Sequence, residues 1–172
     1  MTVKRFVDMF EQWGRNDRLT LKQLRQKCMT LMALCIMCRP SDLILNRNRI
    51  TFNGDGTVTF MFFGIKNDID RKGFEVRLQP SHNEICDPIT CLKEYMHRTK
   101  HLTQDNGPLF LSLRPPHGGS KCCSCFRGIK KNSIAQAGFD TKVYTPRCFR
   151  PSGATAAVQT GNDPEITQQL GR

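Results

Sequence analysis

Apolar side chains recur at threes and fours early in the chain and at twos further on, and that change of period sets the expected architecture. Phe6, Met9, Phe10 and Trp13 fall on one helical face over residues 4–13, and Gly14 with Asn16 then breaks the pattern. Thr20 is the expected N-cap of a longer helix whose apolar positions, Leu21, Leu24, Cys28, Leu31, Met32, Cys35 and Cys38, continue until Pro40 interrupts. From Ile50 the spacing shortens. Residues 50–52, 58–63 and 74–78 are short β-type runs separated by Asn53-Gly54-Asp55-Gly56 and by residues 66–73, which predicts a three-stranded antiparallel sheet.

Helical spacing returns beyond the sheet. Asp87 and Pro88 supply the cap and first position of a helix reaching about His101, and residues 109–111 read as a short extended piece before a loop rich in proline and glycine. A basic helix is expected over residues 121–137, another from Thr145-Pro146 to Gly161, and a last short one from Asp163-Pro164 to Gly171. The expected fold class is therefore mainly α with a small antiparallel three-stranded sheet (α+β), with one hydrophobic core in 172 residues. Residues 1–18 read as a linker and short helix, and residues 19–172 as the main domain.

Charge narrows the class of partner. Lys and Arg total 26 against 15 Asp and Glu, a net charge of +11 that attracts polyanions before any specific contact forms. No apolar run approaches the roughly 20 residues of a spanning helix, and the start MTVKRFVDMF does not have the make-up of a signal peptide. Double-stranded DNA is the expected partner, and a membrane is not. Nine cysteines, an odd number scattered through apolar stretches, read as reduced intracellular thiols. Cys35 with Cys38 and Cys122 with Cys125 have Cys-x-x-Cys spacing, but the first pair lies within an apolar helical pattern and the pairs are far more widely separated than in a zinc ribbon. Buried free cysteine acting as a small hydrophobe is the preferred reading, and neither a metal nor a cofactor is expected.

Three features carry candidate chemistry. Pro40 disfavours helical geometry for the residue before it and so turns Arg39 out of the regular helix, where Asp42 is placed to hold its guanidinium by a charge-assisted pair. A basic residue favoured by the helix dipole would give the same local pattern. In Thr145-Pro146-Arg147-Cys148-Phe149-Arg150, two arginines share a face on the first turns of a helix, a place usually taken by acidic side chains, and such a placement suits an anionic ligand. Lys66, in the connection between the second and third strands, is the third, and alone it is an ordinary turn lysine.

In chain order, a helix ending in Arg-x-x-Asp, a small sheet with a hairpin lysine, and a helix opening with Arg150-x-Ser152-Gly153-Ala154-Thr155 resembles the catalytic domain of tyrosine recombinases, or phage-type integrases, over residues 19–172. The stretch Trp13 to Lys27 resembles the recombinases of eukaryotic mobile elements of the DIRS, Ngaro and Crypton kinds. The resemblance implies DNA strand cleavage and rejoining by a type IB phosphotyrosine mechanism, in site-specific recombination or integration of a mobile element. It also implies self-association on DNA and an intracellular, nuclear location. By the same resemblance Arg39 and Arg150 hold the scissile phosphate, Asp42 orients Arg39, and Lys66 protonates the departing 5′ oxygen.

Two departures stand out. Arg147 occupies the position usual for histidine, keeping a phosphate donor but losing a proton shuttle near neutral pH. The chain stops at Leu170-Gly171-Arg172, where the pattern would next show a histidine or tryptophan and then the nucleophile, and Tyr95 and Tyr144 both precede Arg150. The expectation is a catalytic domain lacking its nucleophile segment, and the alternative is an inactive descendant that binds DNA or protein. Apart from catalysis, Arg114, Lys121, Arg127, Lys130, Lys131 and Lys142 join Arg147 and Arg150 in a span whose one acidic residue is Asp140, and they are expected to grip the DNA backbone.

Overall fold

The computed structural model describes residues 1–39, 41–63, 73–113 and 123–163. The first helix, α1 (Lys4–Trp13), buries Phe6, Met9 and Phe10, and Gly14 ends it with φ +82°. The phenyl ring of Phe6 packs at 5.3 Å from that of Phe149 and 5.7 Å from that of Phe139, so α1 shares the core of the later helices.

The long helix α2 (Leu21–Cys35) starts with a capping box, in which Thr20 Oγ1 accepts from the Gln23 amide at 3.3 Å and the Gln23 side chain accepts from the Thr20 amide. It is the central element, buried along Leu24, Cys28, Met29, Leu31, Met32 and Leu34. Its end differs from the sequence expectation. The helix stops at Cys35, and Met37 adopts a left-handed conformation with φ +54°, so Cys38 and Arg39 lie on a non-helical segment. Apolar spacing alone runs the helix on to Pro40, whereas the chain leaves helical geometry before the residue that the proline restricts.

Strands β1 (Ile50–Phe52), β2 (Val58–Phe62) and β3 (Phe74–Leu78) form an antiparallel sheet in the order β1-β2-β3. Val58, Phe60 and Phe62 alternate onto the buried face, with Phe60 opposite Val76 and Val58 opposite Leu78. Gly56 turns the first hairpin at φ +83°, and Asp55 accepts from both the amide and the hydroxyl of Thr57.

Helix α3 (Pro88–Arg98) opens as expected, with Pro88 in the first turn and Asp87 Oδ2 accepting from the Thr90 amide at 2.8 Å. A short 3-10 turn, Lys100–Leu102, follows. The expected extended piece pairs with residues 45 and 46: the Leu109 amide donates to Leu45 O at 2.7 Å, and Asn46 bridges Pro108. Helix α4 (Cys123–Gln136) is tied to α2 by a Thr30–Ser133 hydroxyl bond of 2.8 Å. A 3-10 turn, Pro146–Cys148, leads into α5 (Phe149–Gln159), after which Gly161 takes φ +92°. The helix expected at Asp163-Pro164 falls on residues outside those described. Among the described residues, no helix is long and apolar enough to cross a membrane.

Candidate active site

Arg39 is fixed through its backbone. Asp42 Oδ2 accepts from the Arg39 amide at 2.6 Å, the Asp42 amide donates to Arg39 O at 3.0 Å, and Asp42 Oδ1 accepts from the Ser41 hydroxyl. The expected pairing of Asp42 with the Arg39 guanidinium is thus corrected: the carboxylate is engaged by the turn that carries Arg39. The guanidinium Nη1 is buried and has no hydrogen-bond partner among the described residues. A buried donor without a partner costs about 1–3 kcal/mol, a deficit that a bound oxyanion would relieve.

Arg150 is placed by how closely α5 meets α2. A Cβ built on Gly153 would come within 2.2 Å of Leu34 O, so only glycine lets the first turns of α5 sit against the end of α2. Phe149, wholly buried, anchors the turn from the other side. Arg147, in the 3-10 turn ahead of it, is exposed.

These segments enclose a cleft of about 580 Å³ lined by Cys38, Arg39, Ser41, Arg127, Thr145, Pro146, Arg147 and Arg150. Four of the described lining residues are arginines and none is acidic. Sequence reasoning places three of them, Arg39, Arg147 and Arg150, at a phosphate and the fourth, Arg127, on the surrounding DNA grip; the structure brings all four to one cavity. It misses Cys38, whose thiol is pushed up to about 12, mainly by burial, with the positive charges of Lys130 and Arg150 acting in the opposite direction. That thiol stays uncharged at neutral pH.

Lys130 requires a second correction. Expected on the DNA-facing surface, it is completely buried, with its ammonium 5.7 Å from the centre of the Phe149 ring. A signal is present in the sequence, since Phe126, Lys130 and Ile134 follow one another at helical spacing and all three are buried. Lys131 and Lys142 are exposed. Lys66, Arg114 and Lys121 lie outside the described residues.

Neither tyrosine lines the cleft. Tyr95 is fully buried, its hydroxyl accepts from the Leu111 amide at 3.1 Å, and burial pushes its pKa up to about 12. Tyr144 packs edge-on against Phe139. Among the described residues, no group of three or more His, Cys, Asp or Glu side chains could hold a metal ion. Cys122 and the side chain of Cys125 are outside the described set.

The described elements, helices α1 to α5 and the three-stranded sheet, have counterparts in solved structures. The XerH site-specific recombinase bound to difH substrate in a pre-cleavage complex superposes with a TM-score of 0.72 at 18% identity, over 99% of this chain and 45% of that one. XerH in a post-cleavage complex with palindromic difH substrate gives 0.72 at 19% identity over the same shares. XerA recombinase gives 0.71 at 18%, over 99% of this chain and 53% of that one. The chain has the tyrosine recombinase catalytic-domain fold. It spans about half the length of these recombinases. No protein-family model and no curated protein matches its sequence. Within this recombinase fold, the arginine cleft lies where the end of α2, the first turns of α5 and the α4 residue Arg127 converge.

Proposed function

We propose that the cleft binds a phosphodiester of double-stranded DNA and that the chain supplies the phosphate-holding part of a site for strand cleavage and rejoining. One observation carries this reading: four arginines from three separated parts of the sequence share a cavity with no acidic residue among its described lining. Like charges gathered in this way repel one another, and a bound anion removes the cost. Arg39 donates from its buried, unpartnered Nη1 to one non-bridging oxygen, and Arg150 donates to another from the first turn of α5. Arg147 adds a donor at the rim. Each preorganised donor of this kind contributes about 3 kcal/mol to stabilising developing charge, so losing either Arg39 or Arg150 slows cleavage by about 100-fold or more.

In the type IB scheme a tyrosine attacks phosphorus, the 5′ oxygen departs with a proton from Lys66, and a 3′-phosphotyrosine forms. Tyr95 is unsuited to the attack by its burial and its hydrogen bond, and Tyr144 packs on Phe139 and does not line the cleft, so the nucleophile is a tyrosine other than these two. The resemblance of the Trp13 to Lys27 stretch extends the proposal to integration of a eukaryotic mobile element, in the nucleus, by protomers assembled on DNA.

A second reading, a non-cleaving descendant that still grips DNA, is favoured by Arg147 at the position where a proton-shuttling histidine is expected. Duplex binding followed across salt concentrations tests what the two readings share. With about six phosphates neutralised, log K falls against log salt with a slope near −5. A nicked duplex then separates them: the cleaving protein accumulates a covalent complex that Arg150→Ala abolishes, and the descendant accumulates none. Duplex affinity indifferent to both Arg39→Ala and Arg150→Ala contradicts the proposal.

A further inference from the structure

Among the described residues two lysines, Lys27 and Lys130, are completely buried, and they differ in hydrogen bonding. Lys27 Nζ donates to Gly14 O at 3.2 Å, whereas Lys130 Nζ has no hydrogen-bond partner among the described residues. An unpartnered ammonium inside a protein is costly and persists only where something compensates it. Its surroundings point to the cleft. On the segment after α2, Cys38 and Asp42 are the ionisable groups that act on Lys130, and Cys38 is itself a lining residue that also feels Arg150. From α5 the Phe149 ring covers the ammonium, next in sequence to Arg150. On its own helix Arg127, one turn earlier, lines the same cavity.

We propose that Lys130 is a positioning residue beneath the arginine cleft, whose buried side-chain amine takes up a proton as a DNA phosphodiester enters, coupling phosphate binding to protonation. This rests on the phosphate-binding reading of the cleft. Burial lowers the Lys130 pKa below its ordinary 10.5, and the nearby Cys38 and Asp42 only partly oppose that. An anion in the cleft favours the charged form, and the proton comes from solvent. The linkage is reciprocal, so whatever the phosphodiester does to the proton affinity of Lys130, the proton does to phosphodiester affinity. The Cys38 thiol of the lining stays protonated up to about 12, which leaves Lys130, beneath that lining, as the group proposed to titrate.

The sign for stability follows. With the folded pKa depressed, the unfolded chain holds more protons between that value and 10.5, so the burial penalty is fully present below the folded value and fades as pH rises from there towards 10.5. Lys130→Met removes that penalty and yields a more stable protein, with a gain that shrinks as pH rises towards 10.5, and by the proposed coupling it is a weaker DNA binder. A buried lysine with no part in the cleft would give the same pH-dependent gain, so the loss of binding is the readout that separates the two.

The decisive experiment follows the Lys130 side chain by NMR in protein carrying labelled lysine Cε, identified by the resonance missing in Lys130→Met or, independently, Lys130→Gln. A short duplex and inorganic sulfate are the two probes. The expected result is a Lys130 titration below the ordinary lysine range in free protein, moved upward by the duplex, with duplex affinity falling about tenfold as pH rises across that interval. Ordinary titration unaffected by the duplex overturns the proposal, and movement with sulfate but not duplex also overturns it, since the ligand is then a free oxyanion. Duplex affinity that depends on Arg39 and Arg150 while Lys130 stays unresponsive sinks only this inference. Affinity indifferent to both arginines sinks the cleft reading as well.

Discussion

The α-carbon of Gly153 sits so close to the carbonyl oxygen of Leu34 that a methyl group there would come within 2.2 Å of it. This contact sets the distance between α5, which carries Arg150, and the end of α2, which leads to Arg39. Gly153→Ala must push α5 outward, because the clashing atom belongs to the backbone. The expected cost is about 1–3 kcal/mol of stability with a loss of duplex affinity beyond what unfolding explains. Gly128→Ala is the control: nothing lies within 4 Å of its added methyl, and in mid-helix it should stabilise by about 0.5–1 kcal/mol. Urea denaturation of both variants, with binding measured on the folded protein, checks the pair.

Asp42 gives a separate prediction because its bond goes to the Arg39 amide. Asp42→Ala leaves that amide without a partner and should destabilise by about 1–3 kcal/mol, while Asp42→Asn keeps an acceptor and should retain most of the stability and most of the duplex affinity. If Asn proves as damaging to binding as Ala, the carboxylate charge matters to the guanidinium after all, and the backbone role is wrong.

Tyr95→Phe should cost about 1–3 kcal/mol, since the buried Leu111 amide loses its acceptor, and should leave duplex affinity unchanged. The tyrosine also makes stability pH-dependent. Its folded pKa of about 12 lies above the ordinary 10.0, so its contribution is complete below 10 and is lost as pH rises towards 12. Alkaline denaturation compared between parent and Tyr95→Phe isolates that loss.

Arg127 lines the cleft, although its place in the sequence marks it only as part of a basic surface. Arg127→Ala should weaken duplex binding and reduce the salt slope by about one, as the removal of a single phosphate contact does. A variant with the parent's slope would mean that Arg127 touches no phosphate.

Much of this is legible in the sequence. The sheet registers with the alternation of Val58, Phe60 and Phe62, the Asp87-Pro88 start of α3 lies where capping chemistry puts it, and Arg39 and Arg150 are singled out by their local motifs. What periodicity does not supply is depth and direction. Lys130 reads as surface charge because lysine is seldom buried, although its spacing with Phe126 and Ile134 marks the inward stripe. Asp42 has two possible partners on Arg39, side chain and amide, and only the turn formed after Cys35 decides between them. The close approach at Gly153 depends on packing between distant segments, which no local pattern encodes.

Arg39 and Arg150 are proposed to hold the same phosphate, and a double-mutant cycle measures whether they do. Duplex binding is compared for the parent, Arg39→Ala, Arg150→Ala and the double variant at one salt concentration. Partners on one phosphodiester should show a coupling of about 1 kcal/mol or more, with the double variant losing clearly less than the sum of the single losses. Single losses that add to within about 0.5 kcal/mol would mean that the two side chains act on separate groups, contradicting the shared site.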